Sequence, residues 1–317
     1  MQTLAIRLFT LLLAALMSAS LAHAAEDVAY LLTAASKGDV ATVNAMLASG
    51  ANPNIKDDEG ISALMYAARK DNADVVAALV AKGADINAKD NDAWTALMFA
   101  AKKNHVASVK KLLELGADSS ARDGAGWSAF GLAASSGYAE TVALLVKHGA
   151  DVNIKSDDGK TVLMHAAKSG DVETVKVLVD NKVDLHKQDS FGVTAMMIAA
   201  REGHAPVVGF LLKRGAQVNQ KDSSKWTALT WAVKKKKIEV VRVLVDAGAN
   251  VNNLDSEGTP LLHIAVDNGD AEMVKLLLEH KAKVKAKDQY GLTALVYALK
   301  GQHTEIIKLI KDAGGSY

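Results

Sequence analysis

An all-α solenoid of stacked helix-turn-helix units joined by hairpin-like loops is the fold this sequence predicts, and three observations predict it. The first is a period: Asp57, Asp90, Asp123, Ser156, Asp189, Asp222, Asp255 and Asp288 open consecutive units 33 residues apart, with no insertion between them. A fixed period of that length marks a stack in which each unit buries its apolar side against its neighbours. The second is the spacing of apolar residues inside a unit, as in Leu64, Ala67 and Ala68 followed by Val75, Val76, Leu79 and Val80, which gives two short antiparallel helices with one buried face each. The third is punctuation, a hydroxyl before the first helix and a glycine after the second.

Taken in chain order, residues 1–24 stand outside the stack. They hold one charge, Arg7, an apolar run from Leu8 to Met17, and the segment Ala22-His23-Ala24. A short apolar core closed by an A-x-A site reads as a cleavable export signal, with cutting expected between Ala24 and Ala25. The stack then fills 25–317 as about nine repeats: a degenerate one at 24–56, then 57–89, 90–122, 123–155, 156–188, 189–221, 222–254, 255–287 and 288–317.

Within each repeat the opening Asp suits a turn, where its carboxylate bonds the backbone just ahead. Thr95, Thr161, Thr194, Thr227 and Thr293, with Ser62 and Ser128, precede the first helix, where a hydroxyl caps free N–H groups. Alanine pairs such as Ala67-Ala68 and Ala100-Ala101 allow close helix approach, and Tyr66, Phe99, Leu132, His165, Ile198, Trp231, Ile264 and Tyr297 form a column expected to fill the gap between units. His165 is accordingly expected to be a satisfied core histidine. Gly50, Gly83, Gly116, Gly149, Gly215 and Gly248 follow the second helix, where the chain turns through a left-handed conformation. Lys182 and Lys281 stand there instead, which predicts altered turns in the fifth and eighth repeats.

These residues resemble the ankyrin repeat. The nearest approach to its T-P-L-H-x-A-A box is Thr259-Pro260-Leu261-Leu262-His263-Ile264-Ala265, and tails such as Gly149-Ala150-Asp151-Val152-Asn153 match its G-A-D-x-N. Elsewhere Met65, Met98, Met164 and Met197 stand in the box, an expected exchange of a polar network for apolar packing. Successive sulfurs would lie about 10 Å apart at stacked-helix spacing, too far to share a metal ion. With the export signal, the chain resembles the exported ankyrin proteins of Gram-negative bacteria, which implies the periplasm, or secretion as the alternative.

Composition limits the function further. There is no cysteine, so neither a disulfide framework nor a lipid-bearing cysteine is expected. Lysine and arginine number 37 against 36 aspartates and glutamates; without Arg7 the balance is zero, and neither nucleic-acid nor membrane binding is expected. No phosphate loop, zinc-protease pattern, nucleophile elbow or paired cysteines appear, and the 9 histidines are scattered over different repeat positions. The sequence therefore predicts no enzyme, no cofactor and no metal.

The resemblance implies that a protein partner binds at the hairpin tips and the exposed side of the first helices. At the fifth position of the units stand Ile61, Trp94, Trp127, Lys160, Val193, Trp226, Thr259 and Leu292, so three of the 4 tryptophans share one place. Tryptophan concentrated at an optional surface position favours a binding surface; the competing reading has each ring lie over the neighbouring unit and add stability. Arg69, Lys70, Lys102, Lys103, Arg201, Lys234 and Lys235 lie at the ends of first helices, with Lys56, Lys89, Arg122, Lys155, Lys221 and Lys287 closing units. The expectation is an acidic protein partner and a monomer, since a solvated basic face repels its own copies. Asp58, Glu59, Asp92, Asp157 and Asp158 make the tips mixed in charge.

Overall fold

The computed structural model describes residues 29–156 and 159–316; the leader, its cleavage site at Ala24–Ala25, Asp157 and Asp158 lie outside the described residues. Among these residues the chain is helical throughout, with eighteen helices and only isolated bridges in place of strands. After α1, described over 29–37, come α2 (Val40–Ala48), α3 (Ala63–Ala68), α4 (Ala73–Ala81), α5 (Ala96–Lys102) and α6 (Val106–Glu114). Then follow α7 (Ala129–Ser135), α8 (Ala139–Lys147), α9 (Val162–Ser169), α10 (Val172–Asp180), α11 (Ala195–Glu202) and α12 (Ala205–Lys213). The series ends with α13 (Ala228–Lys234), α14 (Ile238–Asp246), α15 (Leu261–Asp267), α16 (Ala271–Glu279), α17 (Ala294–Lys300) and α18 (Thr304–Asp312). None of these helices is long and apolar enough to cross a membrane.

Two compact units form: residues 29–133 with 143–150, and residues 134–142 with 151–316. In the first, α3 packs on α5 while α2, α4 and α6 make the second row; in the second, α9, α11, α13, α15 and α17 form one row and α10, α12, α14, α16 and α18 the other. The alanine pairs make this possible. Ala67, Ala68, Ala100, Ala101, Ala166, Ala167, Ala199 and Ala200 are fully buried, and the absence of longer side chains lets neighbouring first helices touch.

Most first helices start as the sequence predicts. The hydroxyl of Ser62, Thr95, Thr161 or Thr194 accepts the N–H three residues on at 3.3 Å, and Thr227 accepts that of Thr230 at 3.2 Å. The methionines do more than pack: Met65, Met164 and Met197 each return a sulfur to the N–H of their own cap residue at 3.4 Å. A polar exchange therefore survives where the sequence suggested apolar packing alone. Two positions depart from the capping pattern. Thr293 makes no cap bond and donates instead to the Ser316 carbonyl, 2.9 Å away. In the eighth repeat the cap residue is Pro260 rather than Thr259, and it brings no hydroxyl.

The turns after the second helices also correct an expectation. Lys182 and Lys281 hold φ of 62° and 66°, and their bonding matches that of a glycine turn. Lys182 N–H donates to Val179 and Val183 N–H to Leu178, as Gly83 N–H donates to Val80 and Ala84 N–H to Leu79. The turn geometry is kept and the side chain bears the strain, because the pattern of tail bonds leaves the backbone no other path.

Side chains then lace neighbouring repeats together. Asn54, Asn87, Asn219 and Asn252 each accept a backbone N–H of the next repeat, at 2.6, 2.8, 2.8 and 2.8 Å. His105 and His204 place Nε2 at 3.0 and 3.1 Å from the carbonyls of Arg69 and Lys168, Asn72 donates to the carbonyls of Ala35 and Ser36, and Asn268 donates to that of Val233, each in the preceding repeat. Lys56 and Lys89 donate to the carbonyls of Lys89 and Arg122, so these two unit-closing cations serve the stack as well as the basic surface.

Candidate protein-binding surface

The opening Asp of a repeat fixes the hairpin tip. One oxygen of Asp90, Asp123 or Asp222 accepts the N–H groups two and four residues on, at 2.7–2.9 Å. The second of those N–H groups belongs to a tryptophan. The same bond reaches the backbone of Ile61, Val193, Thr259 and Leu292 in other repeats, so the aspartate fixes the backbone at this position whatever side chain it carries.

All three residues are half-buried, and each has a neighbour within its own repeat. Trp94 tilts against Phe99 with ring centroids 5.1 Å apart, and Trp226 meets Trp231 edge-on at 4.7 Å. Trp127 lies over Gly131, where an added Cβ would stand 3.2 Å from the ring; the glycine occupies the place methionine holds in other repeats and gives the indole its room. Of the other fifth-position residues, Ile61 and Val193 are buried and Leu292 is exposed. Lys160 is half-buried.

The column residues are not uniformly core. Leu132, Ile198 and Ile264 are buried, but Tyr66, Phe99, His165, Trp231 and Tyr297 are half-buried. Tyr66, Trp231 and Tyr297 reach back to the free oxygen of the Asp that opens their own repeat, and His165 stands 3.4 Å from the Ser156 hydroxyl. The Asp57 bond raises the Tyr66 phenol above its usual range, and the stronger one from Asp288 pushes Tyr297 up to about 12. Burial works against the Asp288 charge, yet the donors from Tyr297, Leu292 and Tyr290 outweigh it and hold the carboxyl low.

Of the cations, Lys70, Lys102, Lys103, Lys234 and Lys235 are exposed. Arg69 lies within 6 Å of two ring centroids, at 5.7 Å from that of Tyr66 and 5.9 Å from that of Phe99. Arg201 sits 5.5 Å from the Trp231 ring and pairs with Glu202 at 3.1 Å. In the second unit, Arg201, Glu202, Trp231, Lys235 and Lys237 line a shallow cavity of about 380 Å³. The run from Lys234 to Lys237 is divided by the fold: two residues end α13, Lys236 turns at φ 56° and donates to the Asn268 carbonyl, and Lys237 opens α14.

Two aromatic residues escaped the sequence reading. Phe191 and Tyr290 stand at the third position of their repeats with 72% and 74% of their surface exposed. Their equivalents are Glu59, Asp92, Ala125, Asp158, Ser224 and Glu257, so the fifth position alone does not show them. Among the described residues, no cluster of histidine, aspartate or glutamate could hold a metal ion.

A model of the ankyrin repeat family matches residues 31–123, 120–189, 170–255 and 248–316. The chain is an ankyrin repeat protein. No curated protein matches it in sequence. Ankyrin repeats generally mediate protein–protein interaction and are typically non-catalytic, which directs attention to the tips and first helices just described.

Proposed function

We propose that this ankyrin protein is exported, loses residues 1–24 and works in the periplasm as a non-catalytic binding protein that holds an enzyme of that compartment as an accessory, stabiliser or inhibitor. The observation that carries the binding role is the recurrence of Trp94, Trp127 and Trp226 at one repeat position, each at the same aspartate-held turn and each left half-buried. Half-buried indoles in a polar rim have the character of interface anchors, and Lys102, Lys103, Lys234 and Lys235 favour a partner with an acidic surface. An immunity role against a toxin acting in the periplasm, or secretion as an effector that binds host proteins, uses the same surface and is separated by which proteins are captured.

The test is capture from a periplasmic extract with the chain starting at Ala25 as bait, repeated with Trp94→Ala/Trp127→Ala. The double variant should weaken the complex by at least about 2 kcal/mol, roughly thirtyfold, while it still unfolds cooperatively. A variant that is destabilised yet binds as tightly as the parent overturns the anchor role, and a chain retained in the cytosol with Met1 intact overturns the export.

A further inference from the structure

The second unit holds a groove of about 450 Å³ at the tips of the last three repeats, between the turns that begin at Asp222, Asp255 and Asp288. Its charge is opposite to that of the basic helix ends. Asp255, Glu257, Asp267 and Asp288 line it against a single cation, Lys234, and Trp226, Tyr290 and Tyr297 supply aromatic surface. Asp255 and Asp288 are engaged with their own turns. Glu257 and Asp267 are exposed, and among the described residues neither carboxylate is paired.

Behind these side chains the wall of the groove is formed by a buried histidine. His263 is 97% buried in the groove wall, and its Nε2 lies 3.0 Å from the Leu292 carbonyl. A carbonyl only accepts, so Nε2 carries the proton and Nδ1 keeps a lone pair, for which no partner exists among the described residues. Burial lowers the basicity of this ring, so it stays a neutral acceptor at neutral pH. The groove itself is set by charge, with the exposed carboxylates of Glu257 and Asp267 beside Asp255 and Asp288 against one lysine.

We infer that this groove receives a cationic side chain, the guanidinium or ammonium of an arginine or lysine on an extended segment of a protein partner. Carboxylates in a concavity focus a negative potential, and the exposed Tyr290 with the half-buried Trp226 and Tyr297 adds attraction for a cation within about 6 Å of a ring. The partner then presents positive groups to the tips of the second unit in addition to the acidic surface expected at the helix ends. This site builds on the protein-binding reading, but the peptide experiment below tests it without the natural partner.

The full chain is titrated at low salt with fluorescently labelled tetra-arginine, tetra-glutamate and tetra-serine peptides. Tetra-arginine should bind, tetra-glutamate and tetra-serine should not, and Glu257→Gln/Asp267→Asn should weaken tetra-arginine binding at least tenfold. Tyr290→Ala, a change at an exposed tip that leaves the fold intact, should weaken it several-fold. Asp58→Asn/Glu59→Gln removes the same charge from a tip of the first unit and should leave the affinity unchanged. Tetra-arginine binding no tighter than tetra-serine overturns the site, as does equal weakening by the two double variants. A groove that fails while the tryptophan variant still loses its captured partner removes this site and spares the protein-binding role.

Discussion

Pro260 shows how one residue changes the chemistry of a whole repeat. One repeat earlier, Thr227 and Thr230 exchange their hydroxyls and N–H groups at 3.2–3.3 Å. At the equivalent pair, Pro260 has neither a hydroxyl nor an N–H, so His263, the counterpart of Thr230, loses the local partner that would engage Nδ1. Restoring threonine should return a cap worth about 1 kcal/mol and a partner for a buried nitrogen worth about another 1 kcal/mol, against a loss of up to about 1 kcal/mol of proline's restraint on the unfolded chain. Pro260→Thr is thus expected to stabilise the protein by about 1 kcal/mol in urea unfolding, and a destabilised variant would show that the ring has no use for the added group. The sequence shows Thr259-Pro260 and suggests the family box in nearly complete form, while the 33-residue period puts Thr259 one place early; the structure shows the cap on Pro260 and the threonine left in the tip.

At the scale of the element, helices and caps were legible because every repeat writes them afresh, so an ambiguous copy is read by its neighbours. The turns were legible too, though the inference about Lys182 and Lys281 ran the wrong way: the lysines predicted a changed turn, and the turn is unchanged. Packing on both sides fixes the tail of the second helix, and two strained side chains are a smaller loss than two broken tails. Lys182→Gly and Lys281→Gly should each stabilise the protein, by up to about 1 kcal/mol, as measured by the midpoint of denaturant unfolding. If neither midpoint rises, the positive φ at these residues carries no strain.

For the molecule as a whole, stability in such an array rests on neighbour-to-neighbour burial. Leu145, fully buried in the fourth of nine repeats, tests this. Leu145→Asp places an unpaired charge in a dry interior at a cost of several kcal/mol, and it should replace a single sharp melting transition with a broad or staged one in calorimetry. A melt as sharp and as high as the parent's would mean the burial assigned there is wrong. The candidate surface was less legible than the fold. Three tryptophans on one repeat position can be counted along the chain, but the acidic groove draws on Glu257 and Asp267 of one repeat and Tyr290 of the next, at the third and thirteenth positions, and a net charge near zero conceals it.

The asparagine ladder has a consequence for how such a chain changes through time. Asn54, Asn219 and Asn252 each meet the backbone 31 residues ahead, and every one of these bonds joins the same two places of successive repeats. A gene exchange that slips by one 33-residue period would insert or remove a full rung and leave each remaining bond with an equivalent partner. Length can therefore drift in whole steps under weak selection, while the tip residues of each copy diverge on their own.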